Sequence, residues 1–168
     1  QNEFFDLLST TFYYTFFGTI GSIVFGILTA QLVNQKFFGR TFMRSVLLFP
    51  YVGPVVALAY TWELLLDPYS GTLNNLLMNF QVIQEPLNLL GQKYLTINFF
   101  GFDLKLRLAW TTVIIFEIWR YFPLAFLFIL ARLQAVPKEL YEAAEVDGAG
   151  PLQKFINITL PQLTAVIS

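Results

Sequence analysis

Residues 7–35 form a run of 29 positions without a charged side chain. A bilayer crossing takes about 20 apolar residues, so the run predicts a first membrane-spanning helix over residues 9–33. Gly18, Ser22, Gly26 and Ala30 recur within it at every fourth position. Such a stripe puts small side chains on one helix face and lets a second helix come close. A solute-lining groove is the other use of the stripe, and close packing is the favoured one. After Lys36, Arg40 and Arg44, a second charge-free run, residues 45–62, predicts a second span. Pro50, Gly53 and Pro54 fall inside it. Each proline removes an intrahelical hydrogen bond, so this helix is expected to be kinked or locally broken. Broken helices are tolerated at membrane depth where they are buried in protein or line a cavity; a fixed kink and a moving part fit the pattern equally well.

Residues 63–107 are mixed. Asp67-Pro68-Tyr69-Ser70-Gly71 is a turn cluster, and a short helix is expected over 73–80. Leu95, Ile97 and Phe99 then alternate with Thr96 and Asn98. Beyond Gly101, Phe102, Leu104 and Leu106 alternate with Asp103, Lys105 and Arg107. A period of two on both sides of a turn predicts a small β-hairpin. A third span is expected over 108–131, interrupted by Glu117 and Arg120. Residues 132–160 are polar to amphipathic, and the apolar run over 161–168 reads as the start of another span. The chain is therefore expected to be an incomplete transmembrane domain, one domain over 1–168, cut short at its C-terminal end and at its N-terminal end. The first apolar run is too long for a signal-peptide core and has no basic flank before it, so no cleavable leader is expected.

Orientation follows from basic residues in the short connections. Lys36, Arg40, Arg44, Arg132, Lys138 and Lys154 fall on one side, against Lys93, Lys105 and Arg107 on the other. The richer side is assigned to the cytoplasm, which leaves 63–107 and its hairpin outside.

Composition agrees with a membrane setting. Apolar residues make up 56% of the chain, charged residues 12%, and phenylalanine alone occurs 19 times, where soluble domains carry roughly 25% charged residues. The formal net charge of −1 suggests neither nucleic acid nor an anionic surface as a partner. With no Cys and no His, disulfides, Cys-ligated metal, His-ligated haem and imidazole-dependent triads are excluded. No cofactor and no metal site is expected.

The most informative stretch is PKELYEAAEVDGAGPLQKFINITLP, residues 137–161. It predicts two short helices with a break. Pro137 suits a first helical position and Glu139 the first turn. Leu140, Ala143 and Ala144 share one face, while Lys138, Glu139, Glu142 and Glu145 gather on the other. Asp147-Gly148 stops the helix, since glycine accepts the left-handed closing conformation. Gly150-Pro151 opens a second helix with Leu152, Phe155, Ile156 and Thr159 at helical spacing. Composition alone leaves two readings: a helix pair seated in another protein's groove, or a loop packed on its own bundle.

Glu142-Ala143-Ala144, Gly148 and Ile158-Thr159-Leu160-Pro161 stand at the full spacing of the EAA loop, and in this the chain resembles the permease subunits of binding-protein-dependent importers of the ATP-binding-cassette class. Glu139-Leu140-Tyr141 before the motif and Asp147-Gly148-Ala149 after it look most like the carbohydrate branch, the relatives of the maltose permease subunits. Gly39-Arg40, Arg44, Pro50, Pro54, Gly71-Thr72-Leu73-Asn74, Trp119 and Pro123 extend the resemblance along nearly the whole chain; the outer segment between roughly Phe80 and Leu108 departs from it. The resemblance implies an all-α polytopic transmembrane bundle with a cytoplasmic coupling loop over 137–160. It implies a multi-pass protein of the bacterial cytoplasmic membrane, paired with a second permease subunit and two cytoplasmic ATPase subunits, and fed by an extracytoplasmic solute-binding protein. Glu142 would make polar contacts in the ATPase cleft and Ala143 and Ala144 would permit close approach. Gly148 would give the bend, and Ile158, Leu160 and Pro161 would lead into the next span. No GxxxxGK[ST] phosphate loop occurs in the chain, so ATP hydrolysis is assigned to the partner and the chain is not expected to be an enzyme. The implied cargo is a small solute, a sugar or oligosaccharide. A permease for another solute such as glycerol phosphate, and a non-transport membrane scaffold, are the alternatives.

Glu117 and Arg120 are an opposite-charge pair in mid-span. An ionisable side chain at a helix centre costs about 2.5–3.5 kcal/mol on insertion scales. Their i,i+3 spacing allows pairing on one helix face. A mutually neutralised buried pair is one reading; a polar patch lining the solute pathway is the other.

Overall fold

The computed structural model describes residues 2–92, 95–99 and 102–167. In chain order the helices are α1 (Asn2–Asn34), α2 (Arg40–Val52), α3 (Val55–Leu65) and α4 (Thr72–Asn79), followed by strands β1 (Leu95–Phe99) and β2 (Phe102–Leu106). Helices α5 (Leu108–Ala135), α6 (Lys138–Val146), α7 (Pro151–Lys154) and α8 (Leu160–Ile167) complete it, with one π-helical turn, Phe155–Thr159, between α7 and α8. The described elements are helices but for one small hairpin. Strands β1 and β2 pair antiparallel from Leu95↔Leu106 to Phe99↔Phe102, at the positions where the alternation predicted them. The four residues 93, 94, 100 and 101 that flank and link the strands lie outside the described residues.

Among the described residues, two helices are long and apolar enough to cross a membrane, Phe4–Asn34 within α1 and Leu108–Ala135. At 1.5 Å per residue the latter is about 42 Å long. Large apolar side chains stand exposed along both, among them Phe12, Phe16, Leu28, Leu32 and Phe128. Hydrocarbon, as apolar as these side chains, is the solvent in which that exposure costs nothing. The run over 45–62 is two helices: the first stops at Val52, and Pro54, with φ −63° and ψ 120°, stands as the extended residue before α3. Pro50, by contrast, sits buried inside α2. A proline preceded by glycine ends the helix; a proline within a packed turn does not.

The chain divides into two compact units. The first takes Gln1–Gly18 and Val52–Trp119. Its framework is aromatic: Trp62 meets Phe116 edge-on at 5.4 Å and Trp119 at 5.6 Å, and Tyr13 lies 5.9 Å from Trp110. Asn74, 1% exposed, pins the loop beyond α4. Its Nδ2 donates to the carbonyls of Asp67 (3.3 Å) and Leu87 (2.9 Å), and its Oδ1 accepts from the Leu87 amide at 3.0 Å. Asp67 Oδ1 in turn accepts from the amides of Tyr69 and Ser70 and from the Ser70 hydroxyl. Those donors, the Ser70 amide first, hold the Asp67 carboxyl below its ordinary value.

The second unit takes Thr19–Tyr51 and Arg120–Ser168. Ala30, Val33, Phe126, Ile129, Leu130, Leu133 and Leu163 form its buried core, with Ile27, Leu47, Leu48 and Ala125 packed against it. The small-residue stripe of α1 is buried at all four positions. At Gly26 an added Cβ would stand 2.7 Å from Ala125 Cβ and 3.0 Å from the Phe126 amide nitrogen, so here the stripe is a helix-packing surface.

Candidate coupling site

The site begins where α5 ends. Pro137 is the N-cap of α6, extended at φ −59° and ψ 135°, one position earlier than expected, because its carbonyl already accepts from Leu140 at 3.3 Å. Helix α6 stops by a Schellman closure: the Ala149 amide donates to the Ala144 carbonyl at 2.8 Å and the Gly148 amide to the Glu145 carbonyl at 3.1 Å. That closure needs a left-handed residue between its two bonds. Gly148 supplies it with φ +78°, and nothing lies within 4 Å of where its Cβ would stand.

Pro151 opens α7, and the Gln153 Oε1 accepts from the Gly150 amide at 2.9 Å. The following turn widens to π geometry, closed by the Leu160 amide on the Phe155 carbonyl. Pro161 lies next. Proline has no amide proton and its ring clashes with the carbonyl four residues back, so a wider turn just before it relieves a contact that an α-turn would force.

Three contacts fix the base of this loop. The Tyr141 and Thr159 hydroxyls lie 3.0 Å apart, joining α6 to the π turn. Lys154 Nζ pairs with Glu145 Oε2 at 3.0 Å. Arg132, in the last turn of α5, donates Nε to the Gln162 carbonyl (3.1 Å) and Nη2 to Gln162 Oε1 (2.6 Å), which ties together the helices entering and leaving the loop. The base is buried at Thr159 and half-buried at Tyr141, Ala144 and Ile158.

The tip is open. Glu142, Ala143 and Gly148 are exposed, and so are Leu140, Val146 at 88%, Leu152 at 70% and Ile156; Leu160 and Pro161, at the start of α8, are exposed too. The expected common face of Leu140, Ala143 and Ala144 is therefore divided: Ala144 turns inward beside Tyr141, while Ala143 and Glu142 face out. Sequence reasoning missed the apolar share of the tip from Val146 and Leu152, and missed the Tyr141–Thr159 and Arg132–Gln162 ties. The apolar residues on either side of Gly148 were the available signal for the first. The loop is a pair of short helices whose tip is apolar and edged by Glu142.

Glu117 and Arg120 lie in the middle of α5, both half-buried. Arg120 donates Nη1 to the Tyr121 hydroxyl at 2.8 Å, with its guanidinium carbon 4.9 Å from the Tyr121 ring centre. Its Nε is buried without a partner. Glu117 lies against Gly18, where an added Cβ would stand 3.5 Å from its Cγ.

Comparison with known proteins gives this geometry a context. The profile of the family described as "Binding-protein-dependent transport system inner membrane component" matches residues 22–168. The chain is similar to the inner membrane ABC transporter permease protein YcjO of Escherichia coli, 36% identical over 165 residues, which are 98% of this chain and 52% of that one. It is also similar to the trehalose/maltose transport system permease protein MalF of Thermococcus litoralis, 32% identical over 165 residues, 98% of this chain and 51% of that one. The chain thus spans about half the length of the curated relatives it matches. In fold it superposes on a bacterial ABC transporter involved in the import of the acidic polysaccharide alginate, with a TM-score of 0.81 at 22% identity, covering 99% of this chain and 54% of that one.

Proposed function

We propose, from the premise that this chain belongs to the family of binding-protein-dependent transport system inner membrane components, that it serves in the transmembrane permease subunit of an ATP-driven importer of a sugar or oligosaccharide. Residues 1–168 would be one transmembrane domain that crosses the membrane at α1, at the broken α2–α3 pair and at α5, and begins a further crossing at α8. The 137–160 loop would face the cytoplasm and the hairpin the opposite side. A second permease subunit, two ATPase subunits and an extracytoplasmic binding protein complete the assembly. ATP hydrolysis belongs to the ATPase partner, and this chain supplies the path and the lever.

The observation that carries the reading is the 137–160 loop itself. Its tip is apolar, acid-edged and exposed, and it stands on a base fastened to both flanking helices through Arg132 and Gln162. Motion of a docked ATPase would then pass into α5 and α8 and not be lost in a flexible loop. Alternating access follows when ATP closure of the ATPases draws the loops together and re-orients the helices around a mid-membrane site. Glu117 and Arg120 would lie along that path. The buried, unpartnered Arg120 Nε supports a polar lining. The sugar class rests on the trehalose/maltose relative.

The test is uptake into proteoliposomes carrying the full-length protein with its partners. ATP-driven accumulation of a labelled trehalose- or maltose-class sugar is expected, and Glu142→Lys should abolish it while membrane insertion persists. Uptake that survives removal of the ATPase subunits would overturn the reading.

A further inference from the structure

The connection between α1 and α2 is five residues long and carries chemistry that the coupling mechanism does not use. Phe38 is fully exposed, Phe42 74% and Phe37 44% exposed, interleaved with Lys36, Arg40 and Arg44. Lys36 is exposed and the two arginines are half-buried. Residues 36–42 line a shallow concavity of about 840 Å³. No Asp or Glu occurs anywhere in residues 7–62, and among the described residues none of the three cations forms an ion pair. Arg44 reaches only the Val33 carbonyl at 3.4 Å, and its Nε is buried without a partner. The net charge of the chain averages this cluster away.

Such a segment fits neither bulk water nor hydrocarbon. Three bare phenylalanine rings are unfavourable in water, and cationic heads are unfavourable among acyl chains. The headgroup boundary takes both: rings enter the acyl edge while basic heads stay at phosphate level. Chain geometry puts the segment there, because it begins two residues beyond a helix of crossing length and runs into the first turn of α2. We propose that residues 36–44 are a docking site for anionic phospholipid, with Lys36 and Arg40 pairing the headgroup phosphate and Phe37, Phe38 and Phe42 seated among the upper acyl carbons. The lipid supplies the counter-charge that the chain lacks for 29 residues on one side of Lys36 to Arg44 and 18 on the other.

A fluorophore on Thr41→Cys, an exposed position between the two contact types, reads this directly in the full-length assembled transporter in nanodiscs. The discs mix phosphatidylglycerol with phosphatidylcholine, and bromine quencher is carried on one lipid or the other at unchanged composition. Each basic residue near an anionic surface raises local affinity about fivefold, so brominated phosphatidylglycerol should quench about fivefold more strongly or better. That ratio should fall toward one with added salt and in Lys36→Gln with Arg40→Gln. The comparison of the two lipids on the unaltered charges stands even if that double variant fails to assemble. Equal quenching by both lipids would overturn the proposal. So would quenching by neither, which would mean that another protein surface covers the segment.

Discussion

Gly26→Leu puts a side chain into a close approach of α1 and α5 in the second unit. An added Cβ would stand 2.7 Å from Ala125 Cβ, 3.0 Å from the Phe126 nitrogen and 3.1 Å from the Ala125 carbonyl carbon. Unstrained carbon–carbon contacts lie near 3.5–4.0 Å, so the helices must part by roughly 1 Å. Two of the three atoms met are backbone and cannot rotate away. Overpacking of this kind costs about 1–3 kcal/mol. Gly26→Ala offsets part of that with up to about 1 kcal/mol of helix propensity and should end between neutral and about 2 kcal/mol destabilised. Leucine adds three further carbons to the same closed space and should exceed the alanine variant by at least about 1 kcal/mol. Leu28→Ala is the control, roughly 200° round the same helix and 54% exposed; it should stay within about 0.5 kcal/mol of the parent. The assay is thermal unfolding of the purified full-length protein, where about 3 kcal/mol corresponds to a fall of roughly 6–12 °C. Parental stability in Gly26→Leu, or an equal loss in Leu28→Ala, would refute the packing role of the stripe.

Gly148→Val places a β-branched residue at φ +78° with open space around it, so the cost is backbone strain of about 1–3 kcal/mol. The protein should insert but lose ATPase stimulation, and Gly148→Asn should retain more of it, both read in proteoliposomes. Asn74→Leu strips three hydrogen bonds from a residue 1% exposed; at about 1 kcal/mol or more apiece it should open the 66–92 segment to protease. The ionised Asp67 turn holds above the ordinary carboxylate pKa and is lost as pH falls through the lowered value, so the protection of the Ser70 amide, exchange divided by its intrinsic rate at the same pH, should fall as pH drops below the ordinary carboxylate range and should not vary with pH in Asp67→Asn. Arg120→Gln should leave assembly intact and change uptake or solute preference, read by labelled-sugar transport; a loss of folded protein restored by the Glu117→Arg, Arg120→Glu swap would instead support the buried pair.

Elements defined by short-range pattern were legible in the sequence. The charge-free run of residues 7–35 and the alternation at 95–106 describe what each residue faces locally, and they correspond to α1 and the hairpin. The stop at Gly148 was equally legible, because a helix that closes in this manner requires a residue free to take positive φ. Partners chosen by three-dimensional proximity were not. Nothing along the chain distinguishes Tyr121 from Glu117 as the neighbour of Arg120, since both are within a helical turn of it. The tie from Tyr141 to Thr159 depends on the fold-back at 147–150, and that from Arg132 to Gln162 spans 30 residues. The inward turn of Ala144 follows from that same fold-back, which overrides the face expected from an isolated helix projection. The π turn needs the Pro161 clash to be considered together with the packing of Thr159.

A photo-crosslinker at Ala143, exposed at the loop tip, tests the coupling assignment most directly in the assembled full-length transporter. The account predicts an adduct with the ATPase subunit whose yield changes when ATP is added, and no such adduct from the same group at Leu28. An Ala143 adduct with the extracytoplasmic binding protein, or none with the ATPase subunit, would contradict it.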